Sequence, residues 1–132
     1  MLPICVIEDG APIRKLIEVL LRKAGYEVVS FEQGRHAIEW LRENPVQAVL
    51  CDLILPDLNG VEVLRFVRSL PAGEGIPVIA VTGLAEERDR DLYLSAGFDA
   101  YITKPISTAT FAETVRRCIH EKERTRRTER VG

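Results

Sequence analysis

Ala48-Val49-Leu50-Cys51-Asp52 is a short apolar run that stops on a carboxylate. It does not alternate between apolar and polar residues, as a half-exposed strand does. A continuous run of this length suits a strand buried on both faces, as in a parallel sheet covered by helices. The same kind of run recurs as Ile4-Cys5-Val6-Ile7 and as Val78-Ile79-Ala80-Val81. Glu27-Val28-Val29-Ser30-Phe31 and Ala100-Tyr101-Ile102-Thr103 are more mixed and read as outer strands.

Helical patterns fill the gaps. Ile13, Leu16, Ile17, Leu20 and Leu21 form one apolar stripe, with Pro12 in its first turn and Gly25 at its stop. Ala37, Trp40 and Leu41 mark a second helix ending near Asn44-Pro45. Val61, Leu64, Phe66 and Val67 mark a third, running from Gly60 toward Pro71. A polar fourth spans Glu86 to Ala96 and is stopped by Gly97. Phe111, Val115, Cys118 and Ile119 mark a fifth, with Ser107-Thr108 as cap candidates. The result is a strand–helix unit repeated five times, which predicts an α/β fold. Right-handed crossovers and this size point to a doubly wound five-stranded parallel sheet of order 2-1-3-4-5.

The 132 residues make one ordinary domain, and 46% apolar content is enough for a single core. We divide the chain into a folded domain over 1–121 and a charged tail over 122–132, expected to fray from the last helix. A net charge of −2 supplies no global attraction to nucleic acid or membrane. No apolar run approaches a membrane span, and no signal-peptide pattern opens the chain. Cys5, Cys51 and Cys118 are odd in number, far apart and without CxxC spacing. They read as small buried hydrophobes in a reducing compartment, so a cytoplasmic location is expected. His36 and His120 have no ligand spacing and read as solvated or packing residues.

In an open parallel sheet, ligands bind at the carboxyl ends of the strands, beside the point where the strand order reverses. The first strand ends in Glu8-Asp9, the third in Asp52, the fourth in Thr82-Gly83 and the fifth in Lys104-Pro105. Three carboxylates packed together repel, and a hard divalent cation such as Mg²⁺ relieves that repulsion. Lys104 adds a point charge for a phosphoryl oxygen, and Thr82 adds a hydroxyl donor. A carboxylate among them can act as a nucleophile toward phosphorus. Asp52, on the central strand, is the best placed. Taken singly, Glu8-Asp9 also reads as a turn start, Thr82 as a cap and Lys104 as a solvated lysine. Asp57 and Asn59 read as turn residues. Only the four strand ends together point to a site.

The motifs Ile7-Glu8-Asp9, Cys51-Asp52-Leu53-Ile54-Leu55-Pro56-Asp57-Leu58-Asn59-Gly60, Val81-Thr82-Gly83 and Ala96-Gly97-Phe98-Asp99-Ala100-Tyr101-Ile102-Thr103-Lys104-Pro105 occur in order. Together they resemble the receiver domains of two-component response regulators, from about Leu2 to about Glu121. The resemblance implies a flavodoxin-like receiver fold in which Asp52 is the phosphoacceptor. The donor would be a phosphohistidine on a sensor histidine kinase or histidine phosphotransfer protein. Asp9 and Asp52 would bind Mg²⁺, with Glu8 acting through water and the Ile54 backbone carbonyl as a further ligand. Lys104 would pair with Asp52 and then with the phosphoryl group, behind a cis Lys104-Pro105 peptide. Thr82 and Tyr101 would be the switch pair, Tyr101 swinging inward. The surface of the fourth helix, fifth strand and fifth helix would then change for a downstream protein target, with a phosphorylation-dependent dimer as one possible form. No enzyme activity is expected beyond self-catalysed phosphoryl acceptance and autodephosphorylation.

Some positions depart from the common pattern. Glu8 replaces aspartate, Gly10 is expected to loosen the acidic turn, and Leu55 stands where methionine is common. Ile54 and Leu84 are apolar at positions that set the hydrolysis rate in the family. They suggest a long-lived phosphoryl state, unless both side chains simply face solvent.

Three readings stay open. One is a stand-alone receiver. Another is a receiver cut from a hybrid histidine kinase or a DNA-binding regulator. The third is a pseudo-receiver scaffold that is never phosphorylated. A nucleotide enzyme is disfavoured, because neither GxxxxGK[ST] nor GxGxxG is present. Direct DNA binding is also not expected, since Glu121 to Arg130 mixes five positive and three negative residues.

Overall fold

The computed structural model describes the backbone of residues 1–131 and the side chains of residues 1–125. Five strands, β1 (Ile4–Ile7), β2 (Val28–Phe31), β3 (Ala48–Cys51), β4 (Val78–Thr82) and β5 (Ala100–Thr103), form one parallel sheet of order 2-1-3-4-5. The helices are α1 (Ala11–Lys23), α2 (Gly34–Leu41), α3 (Gly60–Ser69), α4 (Glu87–Ala96) and α5 (Phe111–Val131), with a short 3-10 turn at Gly73–Gly75. This is the doubly wound fold expected from the sequence, with the two mixed strands at the edges.

The apolar runs are explained by the two cores. Cys5, Ile7, Val49 and Cys51 point to one face, packing with Ala37, Leu41, Val63 and Val67 of α2 and α3. Ile4, Val6, Ala48 and Leu50 point to the other, packing with Ile17, Leu21, Phe111 and Val115 of α1 and α5. Successive side chains of a strand alternate between faces, so burial of both faces removes every polar residue from the run. All three cysteines are buried and unbridged, while both histidines are exposed. Burial pushes the Cys5 and Cys118 thiols up to about 12, which makes them poor nucleophiles.

Local signals place the helix starts. Asn59 and Glu62 form a reciprocal capping box at the start of α3. Asp57 is more than a turn residue. Its carboxylate accepts from the Gly34 and Arg35 amides at 2.9 Å each and caps α2 from another loop. At the other end of the sheet, Asp99 accepts from Arg68, Lys122 and the Val78 amide, joining α3, α5 and β4.

The last helix departs from expectation at both ends. It starts at Phe111, after a turn in which the Ser107 carbonyl accepts from the Thr110 and Phe111 amides. It then continues through the charged segment to Val131 instead of fraying at Glu121. Glu, Lys and Arg are good helix formers, and Lys122 is tied to Asp99 at 2.9 Å. The side chains of Arg126, Arg127, Glu129 and Arg130, counted in the charge balance of the tail, lie outside the described residues. No described helix is long and apolar enough to cross a membrane.

Candidate functional site: an acidic cluster at the strand ends

Strand register assembles the site. Ile7 pairs with Cys51 and the Asp52 amide donates to the Ile7 carbonyl at 3.1 Å, so Glu8 and Asp52 leave neighbouring strands side by side. Thr82 pairs with Thr103, and the Lys104 amide donates to the Thr82 carbonyl at 2.8 Å. The Lys104–Pro105 peptide is cis. Carboxylate oxygens of Glu8, Asp9 and Asp52 all lie within 4.8 Å of one another. Glu8 and Asp52 are buried and Asp9 is exposed, which makes a cleft open on one side.

The Lys104 ammonium forks between two of these acids. It donates to Asp52 Oδ2 at 2.8 Å and stands 2.6 Å from Glu8 Oε1. The second contact is a close ion pair with a carboxylate that is almost wholly buried. Burial by itself lowers the lysine pKa, but the bond to Asp52 and the contact with Glu8 outweigh it and hold Lys104 above its ordinary value. One ammonium against three carboxylates leaves net negative charge in the cleft. That excess negative charge and an all-oxygen donor set fit a hard cation such as Mg²⁺.

The loops are held from outside the cluster. The Gly10 amide donates to Glu8 Oε2 at 2.9 Å, so Gly10 ties the acidic turn where a looser one was expected. A Cβ there would meet that oxygen at 3.2 Å. At Gly60 a Cβ would meet the Asp52 carbonyl at 2.7 Å and Leu53 Cα at 2.9 Å. Only glycine lets α3 start so close to the acceptor strand. The Ile54 amide donates to Asp52 Oδ1 at 3.2 Å, and the Ile54 side chain is 64% exposed.

Thr82 is buried, and its Oγ1 accepts from the Leu84 amide at 3.4 Å. Tyr101 is already inside. Its ring is buried and stacked on Tyr93 with centroids 6.4 Å apart, and its hydroxyl donates to the Leu84 carbonyl at 2.6 Å. Tyr93 in turn meets Phe98 edge-on. Two residues that the sequence reading does not single out therefore act around the site: Arg14 and Tyr93. Arg14 had one signal, a cation in the first turn of a helix, where the dipole disfavours it.

A family model described as the response regulator receiver domain matches residues 4–116. The chain belongs to that family. It is a receiver domain of two-component signalling. Among its relatives is the polar-differentiation response regulator DivK of Brucella ovis, 34% identical over 113 residues that cover 86% of this chain and 92% of the relative. A solved receiver domain of a sensor histidine kinase from Pseudomonas aeruginosa, with a magnesium ion coordinated in its active-site cleft, is 32% identical. That comparison covers 90% of this chain and 98% of the other, with a TM-score of 0.81. A CheY-like receiver domain protein from Methanospirillum hungatei is 28% identical over 95% of this chain and 99% of its own, with a TM-score of 0.83.

Proposed function

We propose that this receiver domain accepts a phosphoryl group on Asp52 from a phosphohistidine of a sensor histidine kinase or histidine phosphotransfer protein. The observation that carries the proposal is the Asp52–Lys104 pair inside the Glu8, Asp9 and Asp52 cluster. Asp52 Oδ attacks phosphorus in line. The P–N bond breaks with its electron pair going to the imidazole, which takes up a proton. Asp9, Asp52 and Glu8 would hold Mg²⁺, as the magnesium-bound Pseudomonas aeruginosa relative suggests, and the ion would neutralise charge on the transferring group.

Lys104 then keeps its donor on a phosphoryl oxygen, and the Thr82 hydroxyl supplies another. Pulling Thr82 toward that oxygen releases the Leu84 amide. Tyr101 is bonded to the Leu84 carbonyl, so the same loop transmits the change to α4 and β5. No residue of α4 is buried, which makes it the helix least costly to move. The output is a protein contact on the α4–β5–α5 face, including a phosphorylation-dependent dimer. No catalysis on other molecules is assigned beyond the domain's own phosphoryl acceptance and loss.

The test is a beryllofluoride titration with and without Mg²⁺, read by Trp40 fluorescence and backbone NMR. Trp40 packs on Phe31, whose carbonyl accepts from the Glu8 amide, so its ring is coupled to the site. Shifts at Thr82, Tyr101 and Lys104 are expected in wild type with Mg²⁺ and absent in Asp52→Ala. Wild type without shifts would leave a scaffold that binds partners unphosphorylated.

A further inference from the structure

We infer that Arg14 is a positioning residue for the cation site, holding the acidic turn in the geometry that lets Glu8 and Asp9 reach the metal. This rests on the Mg²⁺ reading above and deepens it. Arg14 Nη1 donates to the Glu8 carbonyl at 2.9 Å and to the Asp9 carbonyl at 3.4 Å. Its other terminal nitrogen donates to Glu32 Oε1 at 3.3 Å, just beyond the end of β2. The side chain is 16% exposed, although arginine is normally a solvated residue.

One planar guanidinium therefore bridges the backbone carrying both acids to the neighbouring strand end. A lysine, with a point charge on a flexible stem, cannot reproduce that fork. Arg14 also stands in the first turn of α1, where the helix dipole opposes a cation. The two carbonyls and Glu32 offset that opposition.

Position and charge predict opposite signs. By Coulomb's law alone, a positive group beside a cation site weakens Mg²⁺ binding, so its removal tightens binding. If Arg14 instead orients the ligands, its removal loosens the site, and outer groups that orient ligands carry about tenfold or more in affinity.

Mg²⁺ titrations of wild type, Arg14→Ala, Arg14→Lys and Glu32→Gln, followed by NMR shifts and by the rise in Tm, separate these without any phosphoryl transfer. Both Arg14 variants are expected to weaken Mg²⁺ binding about tenfold, and Glu32→Gln to weaken it by less. Metal-free circular dichroism is expected to be unchanged. Equal or tighter binding in Arg14→Ala overturns the inference while the Mg²⁺ reading stands. No Mg²⁺ response in wild type overturns both. Should Arg14→Ala fail to fold, unchanged affinity in both Arg14→Lys and Glu32→Gln overturns the inference equally.

Discussion

Lys104 donates to Asp52 at 2.8 Å while its ammonium also contacts Glu8, so one cation holds two buried carboxylates from neighbouring strands. Removing it leaves both acids unpaired. Breaking a fully buried pair costs about 3–5 kcal/mol. Lys104 is partly exposed, which lowers the expected loss for Lys104→Met to about 2 kcal/mol. Thermal melts should show this deficit without metal and a larger recovery on adding Mg²⁺ than in wild type, since the ion then takes over the neutralising role. Equal recovery in both proteins would contradict it.

The same pair sets an alkaline limit. The folded pKa of Lys104 is raised above its usual 10.5, so its stabilisation is complete below that value and disappears as pH rises through the folded value. Urea unfolding at pH 9 and above pH 11 should show a steeper loss in wild type than in Lys104→Met.

Asp57 caps α2 through two backbone amides. Partial burial raises its pKa, but the Arg35 and Gly34 amides outweigh this and hold it below the ordinary 3.8. A lowered carboxylate pKa contributes stability above the unfolded value and loses it as pH falls through the folded one. Asp57→Ala is expected to cost about 1 kcal/mol at neutral pH. The difference from wild type should shrink below pH 4. Amide exchange at Gly34 and Arg35 provides the local readout.

Tyr93 stacks on Tyr101 and favours the buried rotamer. Tyr93→Ala should release the Tyr101 ring and speed exchange along α4. Tyr101→Phe keeps the ring but loses the hydrogen bond to Leu84, worth about 1 kcal/mol. Ring shifts of Tyr101 that are unchanged in Tyr93→Ala would show that the hydroxyl bond alone holds the rotamer.

Ile54 and Leu84 differ in environment, which bears on phosphoryl lifetime. Ile54 is exposed beside the acceptor, whereas Leu84 is half-buried against the α2–α3 core. Neither offers a polar group to orient an attacking water. Ile54→Asn should therefore shorten the lifetime of phosphorylated Asp52 several-fold in a radiolabel decay assay with Mg²⁺. An unchanged lifetime would mean that water reaches phosphorus without help from that position.

Much of this molecule is legible in the chain itself. Ile4-Cys5-Val6-Ile7, Ala48-Val49-Leu50-Cys51 and Val78-Ile79-Ala80-Val81 declare central strands because burial on two faces excludes polar residues. Glu8, Asp9, Asp52, Thr82 and Lys104 are found by counting to the end of each strand, since parallel strands deliver those ends to one edge. The continuation of α5 past Glu121 is not legible in the chain, because a charged segment has no apolar stripe to reveal its helix.

Contacts across the fold were decided only by tertiary structure. Asp57 caps a helix that begins 23 residues earlier in the chain. Arg14 reaches Glu32 18 residues away, and Gly60 must be bare because the Asp52 carbonyl passes above it. Apolar periodicity depends on which face of an element is buried, and that is written locally in the sequence. A single polar contact between loops depends on the packing of helices against a twisted sheet, which no local pattern records.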